Sequence, residues 1–451
     1  MWAGDKVYYT SDRTGRLNLF SYDLKTKETK QHTNYKDFDI KFPSLGNNAI
    51  AYEYGGYIYK FDLATEKASK VEIFINEDFN VGRGGWIDVS KNVTNFEISP
   101  DGKRALFGAR GEVFTVPQKH GATRNLTQTS GIHERASKWS PDGKWIAYIS
   151  DRSGEFEIWM RAQDGSGEEI QLTKTTNNYI YTILWSPDSK KLLFNDKLQR
   201  LMYVDVESKK VTLVEQAEAW EITSFGWSPD SKWITYTKPE VDNSSIIYIY
   251  SLDEKKSHPV TDKWYDSSTS EFSDDGKYLF LVSQRNFAPT YGQTEWNHIY
   301  QNMSKLYLIT LAKDTESPFK PKSDEVTIKE EKKDGDKKET EKKDEKKSET
   351  VSVKIDFDGI MNRIVEIPVV GANYWNLSSV KERIYYMKNS SQDPKPKLFL
   401  YDLTAQKETE LGDIQGYEIS ADKKKMLVGL EGMAYAIIDL PAAKLDVKER
   451  L

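Results

Sequence analysis

The residues best suited to binding are charged and aromatic side chains that precede a recurring Ser-Pro-Asp phrase. Guanidinium and carboxylate groups form charge-assisted hydrogen bonds, and Tyr and Trp rings offer apolar faces with a polar edge. Such groups could hold a peptide if the fold makes them converge on a central channel. The alternative is that they solvate the channel mouth and pair with neighbouring repeats. The candidates are Glu134, Arg135, Tyr181, Trp220, Glu221, Tyr265 and Asp266.

The sequence contains no arrangement typical of a catalytic centre. It has no Gly-x-Ser-x-Gly nucleophile turn and no Gly-rich phosphate loop. Asp12 and Asp151 both stand in Ser-Asp-Arg turns, which favours a turn role over catalysis. The 5 histidines show no metal-ligand spacing, and the absence of cysteine excludes disulfides and thiolate metal sites. We therefore predict no catalytic residue, no metal and no cofactor in this chain.

The composition limits which binding partners and which cellular compartments can be expected. The net charge is −6 and no basic face stands out, so nucleic acid is not expected as a partner. No apolar run reaches the roughly 18 residues of a membrane span. The lack of cysteine suits cytoplasm or periplasm without choosing between them. Residues 1–9 already follow a strand pattern without a signal peptide, so we expect a piece of a longer protein.

The Ser-Pro-Asp phrase predicts the strands and turns that must position the candidate binding residues. Its serines stand at intervals of 41, 46, 42 and 45 residues, at Ser99, Ser140, Ser186, Ser228 and Ser273. A period of about 40–50 residues with alternating apolar segments is typical of β-propeller blades. Pro, Asp and Gly are turn residues, so each copy predicts a tight turn between two strands. Where Ser189 and Ser231 replace the glycine, a change of turn type is expected.

Counting the apolar hairpin starts divides the chain. A composition break at residues 76–92, which includes Gly82, Gly84 and Gly85, separates two starts from seven. Propellers commonly have four to eight blades, so we predict a seven-bladed ring preceded by two blades of another propeller. The nine starts lie near Val7, Ile50, Ala105, Ile146, Leu192, Ile234, Leu279, Ile384 and Met426.

A charged insertion interrupts one of the predicted blades. Residues 329–347 are almost entirely Lys, Glu and Asp with no large apolar side chain, so they cannot offset the entropy of ordering. We predict a disordered insertion over residues 320–350, with a tail for a charged partner as the alternative. The strand pattern resumes at Val351.

Several non-repeat segments carry a family resemblance. Residues 108–114, 131–135, 313–319 and 355–365 resemble the propeller region of tricorn-type serine proteases, and the blade phrase is shared with TolB. The resemblance implies that residues 1–80 are the last two blades of a six-bladed propeller and that residues 81–442 form a complete seven-bladed one. Residues 443–451 would begin a linker to a PDZ domain and a protease core that lie outside this chain.

The resemblance also implies a function. In such proteases the propellers gate and guide peptides to an enclosed serine-protease site, without a cofactor, and no catalytic residue of the family maps onto this chain. The expected partners are peptides or unfolded polypeptide and the C-terminal domains of the parent, with a homo-oligomer left open. Two alternatives remain at this point: a stand-alone TolB-like propeller that binds proteins, and the propeller of a prolyl-oligopeptidase relative.

Overall fold

The computed structural model describes residues 1–78, 82, 85, 87–175, 178–321, 351–447 and 450–451. The fold is all-β, with short 3₁₀ helices at Ser90–Asn92 and Ile360–Arg363. The chain divides into two compact units, Met1–Trp86 and Ile87–Leu451. No helix among the described residues is long and apolar enough to cross a membrane. Each of the nine predicted hairpin starts lies in the second strand of a sheet.

The first unit consists of two four-stranded antiparallel sheets. Their facing sides bury Leu19, Ile50, Tyr52 and Phe61, which form one apolar cluster. The first sheet contains β1 (Trp2–Ala3), β2 (Lys6–Ser11), β3 (Asn18–Asp23) and β4 (Thr29–Gln31). The second contains β5 (Lys41–Gly46), β6 (Ala49–Tyr54), β7 (Tyr57–Asp62) and β8 (Lys67–Lys70).

Among its described residues the second unit contains seven sheets of three or four strands, which we number blades 1 to 7 in chain order, and one two-stranded sheet. Blade 1 has β9 (Val93–Ile98), β10 (Arg104–Ala109), β11 (Glu112–Pro117) and β12 (Arg124–Asn125); blade 2 has β13 (Glu134–Trp139), β14 (Trp145–Ser150), β15 (Glu157–Ala162) and β16 (Ile170–Gln171). Blade 3 has β17 (Ile180–Trp185), β18 (Lys191–Asp196), β19 (Arg200–Asp205) and β20 (Val211–Gln216); blade 4 has β21 (Phe225–Trp227), β22 (Trp233–Pro239), β23 (Ser245–Ser251) and β24 (Lys256–Pro259).

Blade 5 carries a small extra hairpin between its second and third strands. It has β25 (Ser267–Phe272), β26 (Tyr278–Ser283), the hairpin β27 (Thr290–Tyr291) and β28 (His298–Ile299), then β29 (Lys305–Thr310) and β30 (Ile364–Glu366). Blade 6 has β31 (Asn373–Val380), β32 (Arg383–Asn389), β33 (Lys397–Asp402) and β34 (Lys407–Asp413). Blade 7 has β35 (Gly416–Ile419), β36 (Lys425–Leu430) and β37 (Ala434–Asp439).

The ring closes by side-chain packing between blades 7 and 1. Ile98 and Phe107 of blade 1 pack against Leu427 and Ile437 of blade 7 in one buried cluster. A backbone hydrogen bond from the Asp422 N–H to the Pro100 carbonyl, 3.0 Å long, ties the same two blades. Within the described residues no sheet combines strands of both blades, so closure depends on these contacts.

The Ser-Pro-Asp phrase is a turn closed by its own serine. In blade 2 the buried Ser140 hydroxyl donates to Asp142 Oδ1 at 2.6 Å and accepts the Trp145 N–H at 2.9 Å. The same pair of bonds recurs in blade 7, where Ser420 donates to Asp422 Oδ1 at 2.7 Å. In this copy alanine, Ala421, stands in place of proline. The motif therefore depends on Ser and Asp two residues apart.

The expected change of turn type at Ser189 and Ser231 is wrong. Both serines have a φ of 60°, in the left-handed region, as Gly143 does with 76°. Each serine hydroxyl also accepts a backbone N–H from the preceding blade: Asp142 N–H to Ser189 Oγ at 3.0 Å and Asp188 N–H to Ser231 Oγ at 3.1 Å. These inter-blade bonds offset the strain that a side chain suffers at positive φ.

The insertion leaves blade 5 between β29 and β30, which pair directly. The described stems on either side are tied together: the Lys313 N–H donates to Asp356 Oδ2 at 2.8 Å, and the Asp356 N–H donates to the Leu311 carbonyl at 2.9 Å. Arg363 donates to the Thr310 carbonyl at 2.9 Å. The predicted disordered stretch of residues 320–350 lies outside the described residues from 322 onward.

Replacing Ser189 tests the inter-blade turn bond. Ser189→Ala keeps a side chain at positive φ and removes the acceptor for the Asp142 N–H, so unfolding in urea should show a loss of about 1–2 kcal/mol. Ser189→Gly loses the same bond but relieves the left-handed strain, so its stability should stay within about 0.5 kcal/mol of the parent. Equal losses for both variants would contradict this account of the turn.

Candidate functional site

The first strand of each blade faces the centre of the ring. At most blade boundaries the first strands of neighbouring blades contact each other, which places these strands around a central channel. Several carry a β-bulge, marked by a register shift and by positive φ at Ala136 (50°), Thr269 (48°) and Asn376 (52°). A bulge bends its strand and re-aims the side chains on either side of it.

Residues at one register position of these strands form a ring around the channel, which we call the collar. They stand two residues before the serine of each turn, close to the end of the first strand. In blade 6 the equivalent residue follows from register, because Ser379 pairs with Ile384 as Trp139 pairs with Ile146. The collar consists of Glu97, Lys138, Leu184, Gly226, Glu271, Ser378 and Glu418.

Three collar residues form an ion triad across the seam of the ring. The Lys138 ammonium contacts a carboxylate oxygen of Glu97 and lies 3.5 Å from Glu418 Oε1, so blades 1, 2 and 7 meet at one cation. Burial lowers the pKa of Lys138, but the carboxylates of Glu418 and Glu97 outweigh it and raise the pKa well above its ordinary value. Lys138 therefore carries its charge at neutral pH.

Glu271 differs from the triad in having no ion pair or hydrogen bond for its carboxylate among the described contacts. Burial, followed by the nearby Asp274, raises the pKa of Glu271 to about 7 against the opposing effect of Lys423. That lysine is held by Asp274 Oδ1 at 3.4 Å. Gly226 stands beside Glu271 in the preceding blade, where a Cβ added to the glycine would lie 3.8 Å from Glu271 Oε2.

A cavity of about 350 Å³ lies at the turn end of the channel. Charged groups of Glu97, Lys138, Glu418 and Lys423 line it. Apolar surface also lines it, from Trp139, Trp185, Pro100, Pro141 and Pro187. A few charges set in an apolar wall are typical of ligand sites. In the described part of the chain, no cluster of three His, Asp or Glu residues could hold a metal ion.

The predicted residues Glu134 and Arg135 lie at the opposite end of β13. The buried Glu134 carboxylate accepts hydrogen bonds from Thr129 Oγ1 at 2.8 Å and from Arg152 Nη2 at 3.0 Å. The Arg135 guanidinium lies 4.6 Å from the ring centroid of Phe156, and it donates to the Tyr181 carbonyl at 3.2 Å. Arg135 thereby joins blades 2 and 3.

Two of the remaining predicted residues are tyrosines that lie beside arginine side chains. Tyr181 lies beside Arg135, and burial together with the Glu221 carboxylate raises the pKa of its hydroxyl. Tyr265 packs in blade 5, where the Arg285 guanidinium lies 5.0 Å from its ring centroid.

Glu221, Asp266 and Trp220 complete the set of predicted residues, and the Glu221 carboxylate lies close enough to the Tyr181 hydroxyl to help raise its pKa. Asp266 Oδ1 accepts the Ser245 N–H of blade 4 at 3.0 Å, whereas the Trp220 side chain is 65% exposed. Peptide contact by any of the seven residues stays a prediction.

Sequence reasoning missed two features of the second unit. The collar could have been found from its constant position two residues before each phrase, where Glu occurs three times. The second is the hairpin β27–β28, whose exposed rings contact one another, with Tyr291 and Trp296 5.9 Å apart and Phe287 and Tyr300 5.8 Å apart. Four aromatic residues in a strand-poor loop were the available signal.

Comparison with known proteins identifies both units. Residues 93–440 match the model of the tricorn protease second beta propeller domain, and residues 1–67 match that of the tricorn protease N-terminal beta propeller domain. A tricorn protease homolog of Saccharolobus solfataricus is 26% identical over 96% of this chain and 38% of its own length. Tricorn protease homolog 1 of Streptomyces coelicolor is 24% identical over 96% of this chain and 42% of its own length.

A solved structure agrees with these matches at the level of fold. The crystal structure of the tricorn protease superposes with a TM-score of 0.66 at 20% identity, covering 98% of this chain and 42% of that one. The chain spans about two fifths of the relatives it matches. It therefore belongs to the tricorn protease family and consists of propeller domains, as the sequence motifs predicted.

The pKa of Glu271 makes a prediction about stability and pH. A carboxyl whose pKa is raised on folding binds more protons in the folded state, so its contribution to stability is lost as pH rises through about 7. Glu271→Gln removes this loss. The variant should gain on the order of 1–3 kcal/mol over the parent at pH 8 and much less at pH 5, as measured by urea unfolding at both pH values. Glu207→Gln, at an exposed turn of blade 3, is the control that should change neither value. A gain that is the same at pH 5 and pH 8 would contradict the assignment.

Proposed function

We propose that this tricorn-family chain forms the propeller region through which a larger serine protease admits and guides peptides. The observation that carries the proposal is a closed seven-blade ring, matched over residues 93–440 to the second propeller domain of the family, with polar and charged groups along its channel. Peptide-bond hydrolysis would belong to other domains of the parent. We assign residues 1–80 to the end of a first propeller and residues 81–442 to the second.

The channel offers groups suited to an extended peptide. Thr94, Thr182 and Asn376 are exposed side chains on the first strands of blades 1, 3 and 6, and their hydroxyl and amide groups can bond to peptide backbone. The backbone N–H and C=O groups of an unfolded segment form hydrogen bonds with water. Polar side chains in the channel can replace part of those bonds when the segment enters. The lumen would thus hold peptides without reading a particular sequence.

Exposed aromatic side chains at the start of the first strands suit the same role. Trp264 is 85% exposed and Tyr265 is 41% exposed, both just before β25. Trp220 precedes β21 in the same way. Large rings that remain in water on a folded protein are typical of interaction surfaces, because they can bury apolar area on binding. We propose that Glu134, Arg135, Tyr181, Trp220, Glu221, Tyr265 and Asp266 support the entry end of the channel.

Because the chain has no cysteine, a single introduced thiol can be labelled to block the channel. Thr182→Cys, modified with a bulky maleimide, should weaken binding of a fluorescein-labelled unfolded polypeptide at least tenfold, since the label occupies the lumen. Fluorescence anisotropy with the full chain measures the affinity.

The matched control for this experiment is Lys210→Cys, labelled in the same way. Lys210 is exposed on the β19–β20 turn of the same blade, away from the first strand. Its label should leave binding unchanged. Equal affinities for both labelled variants, or no binding by the unlabelled parent, would overturn the proposed channel function.

A further inference from the structure

We propose that the collar selects peptides by charge, favouring segments that carry lysine, arginine or a free α-ammonium over acidic segments. The inference rests on the proposed channel function and names the class of peptide that the channel prefers. The collar holds three carboxylates, Glu97, Glu271 and Glu418, against one ammonium, Lys138. All four stand at the same position of their strands and therefore at the same depth in the channel.

The ion pairs of the collar leave negative charge uncompensated. Lys138 contacts both Glu97 and Glu418, so one cation serves two carboxylates. The other nearby lysine, Lys423, is held by Asp274 at 3.4 Å, and those two charges cancel. Glu271 has no partner of its own among the described residues. Burial raises the pKa of Glu97 and of Glu271 to about 7, so above that pH, with all three carboxylates ionised, the collar carries two more negative charges than positive ones.

A purely structural role accounts for the triad but not for Glu271. Glu97, Lys138 and Glu418 lie at the seam between blades 7, 1 and 2, where an ion pair can join blades that share no strand. A half-buried carboxylate without a counter-ion, by contrast, costs stability. Groups kept at such a cost are typical of functional sites. A positively charged peptide group that passes or binds beside Glu271 therefore explains this unpaired carboxylate better than a structural role does.

The surroundings of the collar strengthen its field. Trp139, Trp185 and Leu184 give the adjoining cavity apolar walls, and charges in a low-dielectric opening focus their field on whatever enters. Rings of Asp or Glu select cations in membrane channels for the same reason. A carboxylate about 7 Å from a bound charge, at an effective dielectric constant near 20–80, changes affinity by roughly three- to fifty-fold.

The layer of the channel next to the collar is neutral. The residues two positions before each collar residue in the chain are uncharged in every blade. They are Asn95, Ala136, Thr182, Ser224, Thr269, Asn376 and Gly416. A peptide in the channel would therefore meet a neutral layer next to the acidic collar. Selection by charge at this depth should depend on the collar alone.

Three fluorescein-labelled peptides of twelve residues test the proposal. They are identical except for four positions that carry lysine, glutamate or glutamine, and their affinities for the full chain are measured by anisotropy at pH 8 and low salt, where the collar carboxylates are ionised. The parent chain should bind the lysine peptide at least tenfold more tightly than the glutamate peptide, with the glutamine peptide between them. The preference should shrink in 0.5 M salt as the charges are screened.

Variants of the collar locate the effect. Glu271→Gln and Glu418→Gln should each reduce the preference for lysine about threefold or more and leave the affinity for the glutamine peptide unchanged. Ser378→Lys adds a cation at the uncharged blade 6 position and should reduce the preference without removing any native carboxylate. Glu207→Gln serves as the control, because this exposed carboxylate lies on the outer β19–β20 turn.

The outcomes separate the two proposals. If the three peptides bind equally and no collar variant changes their ranking, charge selection is wrong while the channel function stands. If the lysine preference persists in Glu271→Gln, Glu418→Gln and Ser378→Lys alike, the collar is not its source and the inference is overturned. If none of the peptides binds, the proposed function fails and charge selection fails with it.

Discussion

Closure of a seven-blade ring without a shared strand is the constraint on which the second unit depends. Each blade must adhere to its neighbours through side chains and turns, since no backbone ladder of the described residues crosses a blade boundary. The burial of Ile98 and Phe107 against Leu427 and Ile437 supplies this adhesion at the seam, at roughly 1.5–3 kcal/mol for each fully buried side chain. The Lys138 triad adds a polar contact at the same place. The channel and its collar exist only while these contacts hold.

The repeat phrase serves this constraint directly. Its serine and aspartate close a turn, and the residue after the aspartate reaches the neighbouring blade where it is serine. The Asp142 carboxylate is partly buried, which raises its pKa, but hydrogen bonds from Ser140 and from the Lys144 backbone and side chain outweigh burial and hold the pKa below its ordinary value. A short polar motif thus stabilises both a hairpin and an interface between blades. Its recurrence follows from that double role and requires no catalytic function.

Much of the fold could be predicted from the sequence, because its signals are local. Pro-Asp-Gly turns and alternating apolar residues placed every hairpin start in a second strand, and the family motifs led to the correct family. The details that failed depend on contacts between distant residues. Nothing near Ser189 indicates that its hydroxyl meets the turn of the preceding blade, 47 residues earlier in the chain. The collar escaped notice for the same reason, since its members lie side by side only once all seven first strands surround one axis. Glu134 shows the converse: a carboxylate that looked available for binding is buried by Arg152 of its own blade.

The paired stems of the insertion have a consequence for how this fold tolerates change in length. The hydrogen bond from the Lys313 N–H to Asp356 joins the two stems next to the blade. It therefore helps to hold β29 and β30 in register whatever chain joins residues 321 and 351. The entropy of closing a loop grows only with the logarithm of its length, about 0.6 kcal/mol for each doubling, so a longer or shorter excursion hardly alters the stability of the ring. Blade 5 therefore offers a natural graft site, where evolution or an engineer can attach a new segment to the propeller without rebuilding it.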